Sequence, residues 1–161
     1  MARLEKEVLI EAPLEDIFSY LNYPSNLLQV WPSLMEITDL QALPNGGYRF
    51  KWVYKMAGMR FKGEAEYTKI VPDQFFVIET KGAITSVLAW TVRRKDDLTR
   101  VTFMVEYKVP IPLLGHLAEA IIVKINDHEA DLIMANLRTR LMAAKPETVY
   151  PKLTSSIFRN L

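Results

Sequence analysis

The chain has 161 residues, 50% of them hydrophobic and 24% charged, the mixture of one globular domain rather than of a disordered segment. Its 20 Lys and Arg nearly balance 19 Asp and Glu, which leaves no electrostatic ground for nucleic acid as the main partner. The absence of cysteine excludes a disulfide scaffold, a thiolate metal site and a cysteine nucleophile.

The start, Met1 to Glu7, carries no apolar signal core, and no stretch approaches the roughly 18 apolar residues of a membrane span, so a soluble, cytoplasmic protein is expected. From Arg3 to Glu11, Leu4, Val8 and Ile10 share one parity and Arg3, Glu5, Glu7 and Glu11 the other: a strand with one dry face. Ala12-Pro13 stops it, and Pro13 opens a short helix in which Glu15 and Asp16 suit the first turn and Ile17, Phe18 and Leu21 form an apolar stripe. A second short helical piece spans about 24–30 and ends near Trp31-Pro32.

Period-two patterning then returns in six segments, near 34–43, 47–56, 60–71, 74–81, 85–95 and 99–108, each bounded by turn residues. In the clearest, Tyr48, Phe50, Trp52, Tyr54 and Met56 share one face while Arg49, Lys51 and Lys55 lie on the other. After Val109-Pro110-Ile111-Pro112 the period switches to 3.6 from about Leu114 to Ala144, with Leu117, Ala118, Ile121, Ile122, Ile125, Leu132, Ile133, Leu137 and Leu141 on the stripe. Pro146 and Pro151 break this pattern, leaving 145–161 as a tail, loose or docked on a partner subunit. The expected fold is α+β. A seven-stranded, strongly curved antiparallel sheet wraps a long C-terminal helix, in the order strand, two helices, six strands, helix, with residues 1–144 as the domain.

Such a sheet curls under its own twist, and one helix about 10 Å across does not fill its concave side. Either the aromatic rings on that side pack as core, or they line a pocket for an apolar ligand. A second clue comes from the turns, which alternate between the two ends of a meander. One end collects the polar turns at 44–47, 72–73 and 95–97. The other collects Met56-Ala57-Gly58-Met59, Gly82-Ala83-Ile84 and the apolar run 109–115. Clustered apolar loops read as a ligand mouth, a membrane-touching rim or a protein interface, and the mouth is the favoured reading.

The strand end Ile10-Glu11-Ala12-Pro13, the following Leu14-Glu15-Asp16-Ile17-Phe18-Ser19-Tyr20-Leu21 and Trp31-Pro32 resemble the opening of START-like helix-grip proteins. The closest likeness is to the polyketide cyclase/dehydrase and coenzyme-Q-binding branch, over about 3–144. The resemblance implies a deep hydrophobic cavity between sheet and helix and a ligand such as a lipid, quinone or polyketide; only some members are enzymes.

The residues expected to line that cavity are Trp52, Tyr54, Phe61, Tyr67, Trp90 and Phe103 from the sheet, and Ile121, Ile125 and His128 from the helix. Met56, Met59, Ile84 and Leu113 are expected to form an adaptable gate. His128 stands beside the apolar stripe, with Asp131 three residues on, and is the weak candidate for an acid or base; His116 is read as surface. His128-Glu129-Ala130-Asp131-Leu132 begins like the zinc-protease motif but has Leu132 where the second histidine belongs, so no metal is expected and Asp127, Glu129 and Asp131 read as a solvated face. Glu79, in a segment apolar on both faces, is either a buried acid or a cross-strand partner of a base such as Arg93.

Three functions follow. The favoured one is a binding module without a cofactor that carries or presents a hydrophobic small molecule. The rivals are a cyclase or dehydratase and an accessory protein docking on a membrane or redox complex; self-association stays open.

Overall fold

The computed structural model describes residues 1–108 and 115–143, except the side chains of 115–119 and 143. The elements are β1 (Ala2–Ile10), α1 (Leu14–Asn22), a 3-10 turn (Pro24–Asn26), α2 (Leu27–Val30), β2 (Leu34–Ala42), β3 (Tyr48–Met56), β4 (Met59–Val71), β5 (Phe75–Gly82), β6 (Ser86–Lys95), β7 (Leu98–Tyr107) and α3 (Gly115–Ala143). The strands form one antiparallel sheet in the order β1-β7-β6-β5-β4-β3-β2. The sheet is a meander whose last strand pairs back with the first, and it stays open between β1 and β2. This is the expected helix-grip architecture.

Local chemistry sets the strand ends. Ala57 and Gly58 join β3 to β4 as a two-residue turn with φ of 49° and 78°, and Met56 pairs directly with Met59. Two positive φ angles give the turn whose twist matches the flanking strands, and glycine takes the second at no steric cost. In β7 the alternation is complete: Thr99, Val101, Phe103, Val105 and Tyr107 are buried and the residues between them are not. Edge strand β2 is interrupted by irregularities between Leu34 and Glu36 and between Thr38 and Gln41, with Asp39 at φ 52°; such breaks bend an edge away from further pairing.

The concave face is divided in two. Toward the end where β1 leads into α1, Phe18 of α1 meets Phe76 edge-on at 5.8 Å, and Phe76 stacks on Tyr67 at 5.2 Å. Ile17, Leu21 and Val30 complete this part of the core, each at 0 or 1% exposure. The two short helices therefore plug half of the hollow that α3 leaves. The part toward the β3–β4 and β5–β6 turns is left unfilled by the described residues.

The rotation of α3 departs from the expected stripe. Ile133, Leu137 and Leu141 are buried and anchor it against the core. Counting back from them in threes and fours leads to Ala130, Glu129, Asn126 and Ile122 as the inward face. Ile121 (60% exposed), Ile125 (44%) and Leu132 (41%) fall on the neighbouring face, and His128 is exposed with them. The sequence offers apolar residues on two adjacent faces of this helix; only one can meet the sheet. Lys6 of β1 reaches Asp127 and Asp131, each at 3.0 Å, and these contacts favour the same rotation.

Candidate functional site

Beneath α3 lies a cavity of about 130 Å³. Its floor is the inward parity of the sheet: Leu4 of β1, Phe50, Trp52, Tyr54 and Met56 of β3, Ala65 of β4, Ile78 and Thr80 of β5, Leu88 and Trp90 of β6, and Phe103, Val105 and Tyr107 of β7. Trp31, Leu27 and Leu34 close one side, and Asn126, Glu129, Ala130 and Ile133 of α3 form the roof. For scale, an apolar hole of about 150 Å³ accommodates benzene.

Ring packing shapes the walls. Trp90 lies tilted on Phe103 at 4.5 Å, and Trp31 meets Phe103 edge-on at 5.5 Å and Tyr54 edge-on at 6.2 Å. Trp52 is held by a glycine: it pairs across strands with Gly63, where a Cβ would come within 2.3 Å of the Trp52 ring and 2.2 Å of the Lys81 carbonyl. Any larger residue at 63 pushes that ring out of place.

Few polar groups face this surface, and they converge from different elements. Glu129, 7% exposed, accepts hydrogen bonds from the Ser33 backbone N–H at 2.7 Å and the Tyr54 hydroxyl at 2.9 Å. Burial pushes the Tyr54 hydroxyl far above the ordinary tyrosine range, and the adjoining Glu129 carboxyl adds to the shift. The Tyr54 hydroxyl therefore keeps its proton at physiological pH and serves as a hydrogen-bond donor to Glu129. One turn earlier on α3, Asn126 Nδ2 donates to the Tyr107 hydroxyl at 3.1 Å and to the Met56 sulfur at 3.4 Å. At the end near the β5–β6 turn, the Thr80 and Ser86 hydroxyls are bonded at 2.6 Å. Asn126 Oδ1 and the indole nitrogens of Trp52 and Trp90 are buried without a hydrogen-bond partner among the described residues.

Of the nine expected lining residues, the structure brings Trp52, Tyr54, Trp90 and Phe103 to the cavity wall. Tyr67 is buried in the filled half, its hydroxyl donating to the Asn22 carbonyl at 3.3 Å, and Phe61 is only partly buried and lies outside the wall. Ile121, Ile125 and His128 are corrected to the outer side of α3, for the rotational reason given above. Among the gate residues, Met56 and Ile84 line the cavity and Met59 is exposed at 44%. Leu113 lies outside the described residues, as does the 145–161 tail, and His116 has no described side chain. Glu79 is exposed, opposite Glu66 in the register, so it is not a buried acid.

Glu129 is the main residue that the sequence reading misplaces. Its charged neighbours Asp127 and Asp131 are exposed, but Glu129 sits on the Ile122-Ala130-Ile133 face. The available signal is its spacing of four residues before Ile133 and eight before Leu137. Among the described residues no three His, Asp or Glu side chains gather as a metal set, and no helix is long and apolar enough to cross a membrane.

The sequence matches the family model described as polyketide cyclase/dehydrase and lipid transport over residues 1–142. Among solved structures, a protein from Thermus thermophilus is similar at 21% identity and a TM-score of 0.73, covering 90% of this chain and 100% of that one. The Zhui aromatase/cyclase from Streptomyces sp. R1128 aligns at 10% identity and a TM-score of 0.75, over 88% of this chain and 93% of that one. A START superfamily protein from Mycobacterium smegmatis aligns at 14% and 0.72, over 88% and 97%. At such identities the likeness shows the shared fold. No curated protein matches the sequence significantly. On its fold and on the extent of the family match, this chain belongs to the START-like polyketide cyclase/dehydrase and lipid transport family.

Proposed function

We propose that this protein binds a hydrophobic small molecule in the cavity under α3 and carries or presents it. The observation that supports this reading is the aromatic hollow itself: a curved sheet with part of its concave face plugged by α1 and α2, and a part that the described residues leave open between Trp52, Trp90, Phe103 and α3. Transfer of an apolar ligand into it gains roughly 25 cal/mol per Å² of apolar surface removed from water. A volume near 130 Å³ suits one ring or a short chain; a longer lipid, quinone or polyketide requires displacement of flexible wall residues, for which Met56 is suited. Met56 and Ile84, with Met59 outside them, form the entrance in this reading. Residues 1–144 are the binding domain and 145–161 an appended tail. Native mass spectrometry of protein purified from the cells that make it tests the reading. A co-purified apolar compound, displaced in a cavity-filling Ala130→Phe variant, is the expected result. Equal occupancy of the variant would contradict it.

A second reading, a cyclase or dehydratase, draws support from the Tyr54–Glu129 contact, which sets a hydroxyl and a carboxyl together in the cavity wall. Turnover of a polyketide-like substrate that survives Tyr54→Phe unchanged would remove that pair from any such chemistry.

A further inference from the structure

The turns beside the cavity entrance carry a charge pattern that the cavity itself does not explain. Residues 55–62 and 80–85, which form the β3–β4 and β5–β6 turns and their flanks, include Lys55, Arg60, Lys62 and Lys81 and no carboxylate. Lys108 follows β7 at the same end of the meander. The early turns of α3 lie at this end as well, because Asn126 meets Met56 and Tyr107, the last residues of β3 and β7. Lys124 stands two residues before Asn126. All six cations are exposed, and none makes an ion pair among the described residues.

Lys55 and Arg60 are directly opposite one another in the β3–β4 register, and like charges so placed weaken a sheet. Neighbouring carboxylates do not cancel the excess. Glu64, opposite Lys81, also lies opposite Lys51, and Asp127 is held by Lys6. The far end of the sheet differs, since Arg94 and Lys95 run straight into Asp96 and Asp97.

Apolar side chains stand exposed among the six cations. Met59, 44% exposed, lies between the β3–β4 turn and Arg60, and Ile121 (60%) and Ile125 (44%) flank Lys124 on α3. A nucleic acid answers the charges and offers no apolar phase to Met59 and Ile121. The surface of an anionic bilayer supplies both, with negative headgroups outermost and acyl chains just beneath.

We propose that the protein docks on anionic lipid bilayers through this rim, with Met59 and Ile121 entering the headgroup layer and the six cations lying against it. The inference goes beyond the binding reading above and needs no ligand. Where the cavity is loaded, docking sets the Met56–Ile84 entrance toward the bilayer, so that an apolar molecule passes between them without crossing water.

The test is co-sedimentation of the full chain with two kinds of vesicle, phosphatidylcholine alone and phosphatidylcholine with phosphatidylserine in equal parts. Binding to the mixed vesicles is expected to be at least about tenfold stronger and to weaken as salt is raised. Lys55→Glu with Arg60→Glu is expected to lower it by at least about tenfold, since each cation at such a surface is worth roughly fivefold. Arg94→Glu with Lys95→Glu changes the net charge equally at the far end and is expected to leave binding within about twofold. Met59→Gln with Ile121→Gln keeps every charge and is expected to weaken binding several-fold. All the substituted side chains are exposed.

Equal binding to both vesicles, or to neither, would overturn the docking inference and leave the cavity reading to its own mass-spectrometric test. Equal losses from the two charge reversals would reduce the attraction to net charge and overturn the assigned surface. Undiminished binding of the Met59→Gln, Ile121→Gln variant would show that the rim meets negative charge without an apolar layer, as on an acidic protein, and overturn the lipid assignment.

Discussion

Tyr54 of β3 donates its hydroxyl hydrogen to Glu129 of α3 across 2.9 Å, joining residues 75 apart in the chain. The same carboxyl accepts from Ser33, just ahead of β2, so one side chain ties the helix to the open edge region of the sheet. Removing the hydroxyl in Tyr54→Phe leaves a buried acceptor unsatisfied, at a cost of about 1–3 kcal/mol. Glu129→Ala strands two donors and is expected to cost more. In a double-mutant cycle by urea unfolding the two changes should couple by at least about 0.5 kcal/mol, and additivity within error would show that the contact carries no energy of its own.

Trp52 keeps its place because Gly63 has no side chain. Gly63→Ala is expected to destabilise by about 1–3 kcal/mol, the usual cost of overpacking, and to shift the Trp52 indole signal. If the variant is as stable as the natural chain and the Trp52 signal unmoved, the close approach is not a constraint on the wall.

The helix is held by burial more than by charge. Leu137 has no exposed surface, and Leu137→Ala should cost about 2–5 kcal/mol. The Lys6 contacts to Asp127 and Asp131 raise the lysine pKa, chiefly through the hydrogen bond to Asp127, but both carboxylates are exposed and the lysine is only partly covered. Lys6→Gln is therefore expected to cost less than about 1 kcal/mol, and less still at high salt. A larger loss in Lys6→Gln than in Leu137→Ala would reverse this ranking.

How far the fold is readable in the sequence follows from the same residues. Period-two patterning and turn residues mark the strands to within a residue or two, most clearly β3, β6 and β7, which have one wet and one dry face over most of their length. That parity alone puts Trp52, Tyr54, Trp90 and Phe103 on the cavity side. Helix α3 is harder: Ile121 and Ile125 compete with Ile122 and Ile133 for the inward face, and the winner is decided by Leu137 and Leu141 packing far along the chain. That choice turns His128 outward and Glu129 inward. Glu129 reads as one of three solvated carboxyls because its partners, Ser33 and Tyr54, are distant in sequence. The division of the concave face is equally hidden, since it depends on Phe18 reaching Phe76 across the sheet.

Alkaline pH should weaken the fold. Burial holds the hydroxyls of Tyr54 and Tyr67 above the ordinary value of 10.0. Below that value both are neutral in either state. Above it the unfolded chain releases protons that the folded chain retains, so stability falls as pH rises through and beyond about 10. Urea midpoints measured about one pH unit below and one above that value should show this fall, and Tyr54→Phe should reduce it. A midpoint independent of pH over that interval would contradict the burial of these hydroxyls.

The account depends on an apolar space between sheet and helix, and an X-ray structure of crystals pressurised with xenon tests that space most directly. The expected result is one xenon atom bounded by Leu88, Trp90, Phe103 and Ile133, as apolar cavities of this size take up the gas. A map in which those side chains touch one another, with no xenon among them, would contradict it.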